Sequence, residues 1–283
     1  MKPLGPVLTA GLFPELNARL LELLRGLSDE EWRAPTVCEG WSVKDLAQHL
    51  LGDDLANLSR RREGFVDASL LESGEDLSRW DDLVRYLNRY NEAWVAATRR
   101  LSPRVLCDLI ETASAEMHAY FASLDPFALG GPVSWAGPEP APVWLDIARE
   151  YTERWLHQQQ VRDATSRPGL TERRLFAPVL DTFARALPHT YRQVEAAEGT
   201  LVELVILGEA GGTWRLAREA GRWRLVDGAE GDVPSAATAT MEEDVAWRLF
   251  TKGLTREQAS ARVTLAGDRT LAAKALETVS IIA

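Results

Sequence analysis

Four histidines occur in the chain, His49, His118, His157 and His189, so any imidazole chemistry rests on these positions. His157 follows Glu153 by four residues in a segment of helical period, and side chains at i and i+4 share one helix face, about 6 Å apart at Cβ. One divalent ion can reach both. His49 lies on an earlier helical segment among Leu46, Leu50 and Leu51, and a facing helix would bring it to the same ion. Two imidazoles and one carboxylate leave coordination positions open on Zn²⁺ or a similar ion, the pattern of a catalytic rather than a sealed structural site. The residues also have an ordinary reading. Glu and His at this spacing arise by chance on exposed helix faces, and a histidine among leucines is commonly a hydrogen-bonded core residue.

The helix that would carry Glu153 and His157 is two-sided. Advancing about 100° per residue, Trp144, Ile147, Ala148, Tyr151 and Trp155 form one side, while Asp146, Glu150, Glu153, His157 and Gln160 gather nearly opposite. Taken alone, that polar stripe faces solvent; the alternative is a wet cleft closed by another part of the chain. Cys38 sits in a loop just before a helix N-terminus, where a thiolate is favoured, but no histidine adjoins it in sequence and buried cysteines are common. Cys107 is the only other cysteine, and with no C-x-x-C spacing neither a disulfide framework nor a zinc ribbon is implied, which fits a reducing compartment.

Helical periodicity supplies the elements that would position these groups. Leu16, Leu20, Leu23, Leu24 and Leu27 mark a first helix ending near Gly26. Ser42 and Asp45 form a capping pair for a second helix, which carries His49 and runs to about Arg62. A third helix carries Trp80, Leu83, Val84, Leu87, Trp94 and Leu101. A fourth starts at Pro103 with a stripe of Val105, Leu106, Leu109, Ile110, Ala113, Met117, Tyr120, Phe121 and Leu124. Gly and Pro between Asp125 and Pro142 read as a loop, a fifth helix spans about Val143 to Ala164, and a further helical stretch from Thr171 to Ala197 is broken at Pro188. After Gly199 the pattern changes to short strands, Leu201 to Leu207, Thr213 to Ala217 and Trp223 to Val226, with a hairpin turn at Glu219-Ala220-Gly221. Helices from Met241 to Lys252 and Arg256 to Ala261, a strand from Arg262 to Leu265, the Gly267-Asp268 turn and a last helix complete an α+β ending. The domain boundary is placed near residue 198.

Composition narrows the partners. The 283 residues carry a formal net charge of −10, which disfavours a polyphosphate partner, and the one dense basic run, Arg60-Arg61-Arg62, is followed by Glu63 and reads as a solvated helix end. No nucleic acid is expected. No uncharged apolar run approaches the roughly 18 residues of a membrane span, and Pro3, Gly5, Pro6 and Gly11 interrupt the weakly apolar start, so no signal peptide is read and a cytoplasmic protein is expected.

The segment from Trp32 to Leu50, with Pro35-Thr36, Cys38, Gly40-Trp41-Ser42-Val43, Asp45 and His49, resembles the start of the mycothiol-dependent maleylpyruvate isomerase family, within the wider DinB-like metalloenzyme superfamily. Glu153-Arg-Trp155-Leu-His157-Gln-Gln-Gln160-Val-Arg162-Asp163-Ala164 resembles its second motif. The resemblance implies an α+β protein with a DinB-like up-down helical bundle over 1–198, its metal on His49, Glu153 and His157, followed by a small α+β sterol-carrier-like domain over 199–283. It also implies a catalytic arginine near the C-terminus. Many members close on Gly-Arg, but this chain ends Thr278-Val279-Ser280-Ile281-Ile282-Ala283, so Arg269 is the nearby candidate, with a solvated residue at a helix start as its ordinary reading.

The chemistry implied by the resemblance is thiol addition. A divalent metal, Zn²⁺ first and Ni²⁺ or another as alternatives, lowers the pKa of a low-molecular-weight thiol such as mycothiol. The thiolate then isomerises an activated cis double bond or stays on a small electrophile as an S-transfer product. Asp53, Gln160 and Arg162 are candidates for contacts around the cofactor, each also readable as a helix-surface residue, and Trp32 and Trp41 read as core anchors. Two rivals remain: a non-catalytic metal- or small-ligand-binding protein, and a metal-dependent hydrolase using bound water.

Overall fold

The structure is a computed structural model and describes residues 1–65, 76–77, 79–228 and 234–281. A two-residue strand β1 (Lys2–Pro3) is followed by helix α1 (Phe13–Arg25), which buries Leu16, Leu20, Leu23 and Leu24 and ends at Gly26, whose N–H returns to the Glu22 and Leu23 carbonyls. Helix α2 (Val43–Asn57) opens on the expected capping box: Ser42 Oγ accepts the Asp45 N–H at 3.3 Å and Asp45 Oδ2 accepts the Ser42 N–H at 2.9 Å. It runs on into a π-helical turn, Leu58–Arg62, where Arg62 pairs with Glu63 and Glu116 at the surface.

Helix α3 (Trp80–Thr98) approaches α2 where Gly52 makes room: a Cβ there would lie 2.5 Å from Trp94 Nε1, which donates to the Gln48 carbonyl at 2.7 Å. Helix α4 (Pro103–Ser123), capped by Ser102, buries Leu106, Ile110, Ala113, Met117 and Phe121. Val105 and Leu109, counted in the same stripe from sequence, are instead 45% and 42% exposed. Each stands one residue, about 100°, before Leu106 or Ile110 and so turns off the packed face.

The Gly/Pro-rich stretch is partly ordered as a small antiparallel pair, β2 (Leu129–Pro132) with β3 (Pro140–Pro142). Helix α5 (Val143–Ala164) follows, and of the two readings of its polar stripe the solvent-facing one does not hold: Asp146, Glu153 and Gln160 are half-buried. Glu150 is 5% and His157 8% exposed, and Arg154, Gln158 and Gln159 on the same helix are buried as well. The apolar side is mostly interior, and the polar side ranges from half-buried to buried. Beyond it come α6 (Arg173–Ala184) and the short α7 (Leu187–Thr190), so the expected break near Pro188 falls just before it, with the proline in the first turn of the new helix.

The C-terminal region builds a sheet from β4 (Leu201–Leu207), β5 (Gly212–Glu219), β6 (Arg222–Asp227), β7 (Ala237–Glu242) and β8 (Val263–Gly267). With β1 its order is β1-β6-β5-β4-β7-β8, antiparallel except for the parallel pair β4–β7. Strand β7 was not anticipated. Its inward residues are Ala237, Ala239 and Met241, and alanine is a weak strand signal, so Met241 was assigned to a helix that in fact begins afterwards as α8 (Glu243–Phe250). A five-residue α9 (Arg256–Ser260) leads into β8. At Gly267 (φ +69°) a Cβ would lie 2.3 Å from the Ala236 carbonyl, and Asp268 then caps α10 (Arg269–Ala273) through the Thr270 and Leu271 N–H groups. Among the described residues no helix is long and apolar enough to cross a membrane.

Helices thus precede a sheet, as expected of an α+β chain, and the change from one to the other comes at Leu201. Compactness divides the molecule in an interleaved way: residues 10–124 and 153–169 form one unit, and 1–9, 125–152 and 170–283 form the other. Packing explains why residues 170–198 join the second unit, since Trp214 Nε1 on β5 donates to Asp181 on α6 and Trp223 Nε1 on β6 donates to the Val194 carbonyl. The linear division into 1–198 and 199–283 is therefore kept as a proposal about separable domains. Limited proteolysis tests it at the largely exposed connection 192–199. Two fragments that stay folded after separation support the linear division. Fragments that remain associated or unfold when separated support the interleaved one.

Candidate metal centre

His49 lies one turn beyond Asp45, so the capping box that starts α2 also sets where the imidazole emerges. Asp45 is held further by Arg99, whose Nε lies 3.0 Å from Oδ1. On α5, Glu153 and His157 share a face, with His157 Nε2 3.5 Å from Glu153 Oε2. The helices meet so that the His49 and His157 rings are 4.8 Å apart, centroid to centroid, and edge-on at 83°. One donor atom from each of His49, Glu153 and His157 lies within 4.8 Å of the others. The structure therefore brings the three expected residues together; His118 and His189 are not in this group.

The surroundings suit ligands. Burial, then the neighbouring His157, pushes His49 down to about 3, so its imidazole is neutral at neutral pH. Gln160 Oε1 lies 2.8 Å from His157 Nδ1 and 3.5 Å from Cys38 Sγ. Burial raises the Cys38 thiol above its ordinary range and the Glu153 charge adds to the rise, although Thr36 opposes it. The thiolate that a helix N-terminus would favour is thus outweighed by desolvation.

The loop carrying Cys38 is tightly folded. Thr36 N–H donates to the Trp41 carbonyl, Trp41 N–H to that of Cys38, and Gly40 turns the chain at φ +78°. Trp32 is buried as expected, but Trp41 is only half-buried: its ring lies 5.3 Å from that of His49 and its Nε1 donates to Glu92 at 3.0 Å. Trp41 thus borders the imidazole as well as packing on the core.

The remaining expected residues are placed as follows. Asp53 is half-buried, one turn beyond His49 on α2. Arg162 donates to the Pro168 carbonyl at 3.0 Å and to Gln158 Oε1 at 3.1 Å, contacts that secure the end of α5. Arg269 belongs to the other unit, exposed at the start of α10, on the wall of a cavity of about 790 Å³ that also includes Arg256, Lys274 and Glu277. Sequence reasoning missed the ion pair between Arg154 and Asp54, both about nineteen-twentieths buried, which joins α5 to α2 beside the histidines. Its only signal in the sequence was two charges on otherwise apolar helix faces.

Residues 13–162 match the family model described as the mycothiol maleylpyruvate isomerase N-terminal domain. Two crystal structures, of the mycothiol-dependent maleylpyruvate isomerase and of a mutant of it, resemble the chain with TM-scores of 0.50 and 0.51. Each is 14% identical and covers 91% of this chain and 91% of its own, a likeness that shows the fold. No curated protein matches the chain.

Removing one member of the buried pair leaves a charge in the interior. Asp54→Ala is expected to lower unfolding stability by about 3–5 kcal/mol in urea titration, and Asp54→Leu with Arg154→Met to recover most of the loss. An Asp54→Ala protein as stable as the wild type would show that the pair does not join the helices.

Proposed function

The chain belongs to the mycothiol maleylpyruvate isomerase family, and from that membership we propose that it is a metal-dependent enzyme using a low-molecular-weight thiol, mycothiol or a close analogue, on a small electrophile. The reaction is cis–trans isomerisation or S-transfer. The observation that carries the reading is the meeting of His49, Glu153 and His157 from two helices within 4.8 Å. Donors bonded to one zinc at roughly 2.0–2.2 Å would stand somewhat closer to one another than the widest of these separations, and three protein ligands leave a position open. Zinc is the proposed ion. When bound, the ion supplies positive charge that lowers the pKa of an incoming thiol, and the thiol supplies a nucleophile that adds to and leaves an activated double bond or stays on an electrophile.

The chain's own groups support this use. His49 is held neutral by burial, so its lone pair is available without first losing a proton. Glu153 brings the one carboxylate of the set. Cys38, kept protonated by burial, does not compete as a nucleophile. Trp41 covers one side of the His49 ring. Asp53 remains proposed as a contact to the cofactor, whereas the contacts of Arg162 favour a structural role at the end of α5. A catalytic role for Arg269 and the sterol-carrier likeness of residues 201–283 belong to the same proposal, as does a cytoplasmic setting.

Elemental analysis is expected to find about one divalent ion per chain. His49→Ala and His157→Ala should each lose it while keeping the wild-type circular dichroism spectrum; unchanged metal content in both folded variants rejects the site. Metal-loaded protein should turn over an activated alkene or epoxide only with added mycothiol or bacillithiol. Equal turnover without thiol identifies a hydrolase, and no turnover across a broad electrophile panel identifies a binding protein.

A further inference from the structure

Gln160 occupies the position next to the metal centre where two donors converge on one amide oxygen. Its Oε1 lies 2.8 Å from His157 Nδ1 and 3.5 Å from Cys38 Sγ. An amide oxygen accepts but never donates, and it has two lone pairs. Both neighbours can be donors: Nδ1 when the ring proton is there, and the Cys38 S–H because burial keeps that thiol protonated. With the amide oxygen facing both neighbours and the His157 proton on Nδ1, both lone pairs are used. The His157 Nε2, the atom on the Glu153 side at 3.5 Å, is then left with a free lone pair.

The opposite amide orientation has a different consequence. The Gln160 NH₂ would donate to Nδ1, the ring proton would move to Nε2 facing Glu153, and that nitrogen could bind no ion. It would also turn the NH₂ toward Cys38 sulfur, a weak acceptor, in place of the stronger arrangement of S–H donating to oxygen. We propose that Gln160 is a positioning residue that sets the tautomer of His157, with Cys38 as the second donor fixing the amide. The metal-affinity part rests on the function proposed above; the tautomer part does not. The same contact ties the 36–41 loop, and with it Trp41 beside His49, to the ligand-bearing helix.

The test begins with metal-free protein. Nitrogen-15 spectra of the histidine side chains, at a pH where His157 is neutral, are expected to show its proton on Nδ1, and Gln160→Leu should shift the ring toward the Nε2-protonated form. Chelator competition should then show zinc affinity falling about 10–100-fold in Gln160→Leu, the range for loss of a hydrogen bond behind a metal-bound histidine. Gln160→Glu, which keeps an acceptor at the same reach, should retain affinity, and Cys38→Ala should lose less than Gln160→Leu. Gln160→Met serves as a second apolar variant should Gln160→Leu fold poorly. A wild-type ring protonated on Nε2, or an apolar variant that alters neither tautomer nor affinity, overturns the proposal. If wild-type protein holds no metal but its tautomer responds to Gln160 as expected, the positioning role stands and the metal reading falls.

Discussion

Helix α5 takes more polar side chains into the interior than a protein can leave without partners, and the arrangement of the site depends on finding them. Arg154, His157, Gln158 and Gln159 are all less than one-tenth exposed. Desolvating a charge costs several kcal/mol unless an opposite charge or a set of hydrogen bonds replaces the lost water. Each of these groups has such a replacement. Arg154 meets Asp54 of α2; Gln158 donates to the Leu16 carbonyl of α1 and accepts from Arg162; Gln159 donates to Asp163; His157 lies against Gln160 and Glu153. The two that cross between helices, Arg154 with Asp54 and Gln158 with the Leu16 carbonyl, set the register of α5 against α2 and α1, because an apolar interface would tolerate sliding that hydrogen bonds do not.

With that register in place, the candidate metal centre follows from a few residues of local structure. The Ser42–Asp45 box fixes the first turn of α2, and His49 emerges one turn later. The i, i+4 spacing stacks Glu153 and His157 on one face. The compact loop before α2 brings Trp41 and Cys38 to opposite roles, one ring beside His49 and one thiol against Gln160. Thus the site lies on two helices with His49 and Glu153 half-buried and His157 buried, and its three donor atoms converge as a ligand set would require.

The errors of the sequence reading have a common cause. From sequence the polar stripe of α5 stays open between solvent and a wet cleft, because hydrophobic periodicity measures which side is greasier, not whether a polar side has partners elsewhere in the chain. Asp54 and Arg154 are 100 residues apart in sequence, and neither reveals the other. Strand β7 was overlooked because alanine at Ala237 and Ala239 buries little area and so gives little signal; its status as an inner strand, between β4 and β8, comes from pairing. Val105 and Leu109 were counted as core because apolar residues were summed along α4 without asking which side of the helix other segments would cover.

Local chemistry alone determined the helix starts at Ser42 and Ser102, the stop at Gly26, the Gly267-Asp268 turn, the change from helix to strand after residue 200, and the pairing of Glu153 with His157. All of these depend on residues within about four positions of one another, where backbone geometry dictates which groups meet. The tertiary structure alone decided that His49 comes within reach of that pair, that Cys38 is a half-buried thiol whose desolvation disfavours the thiolate, that Gln160 lies behind His157, and that Arg269 stands in another unit on the wall of a cavity. Each of these is a matter of burial and of distance between remote segments. Desolvation and long-range packing are properties of the folded chain, and no spacing within a single helix carries them.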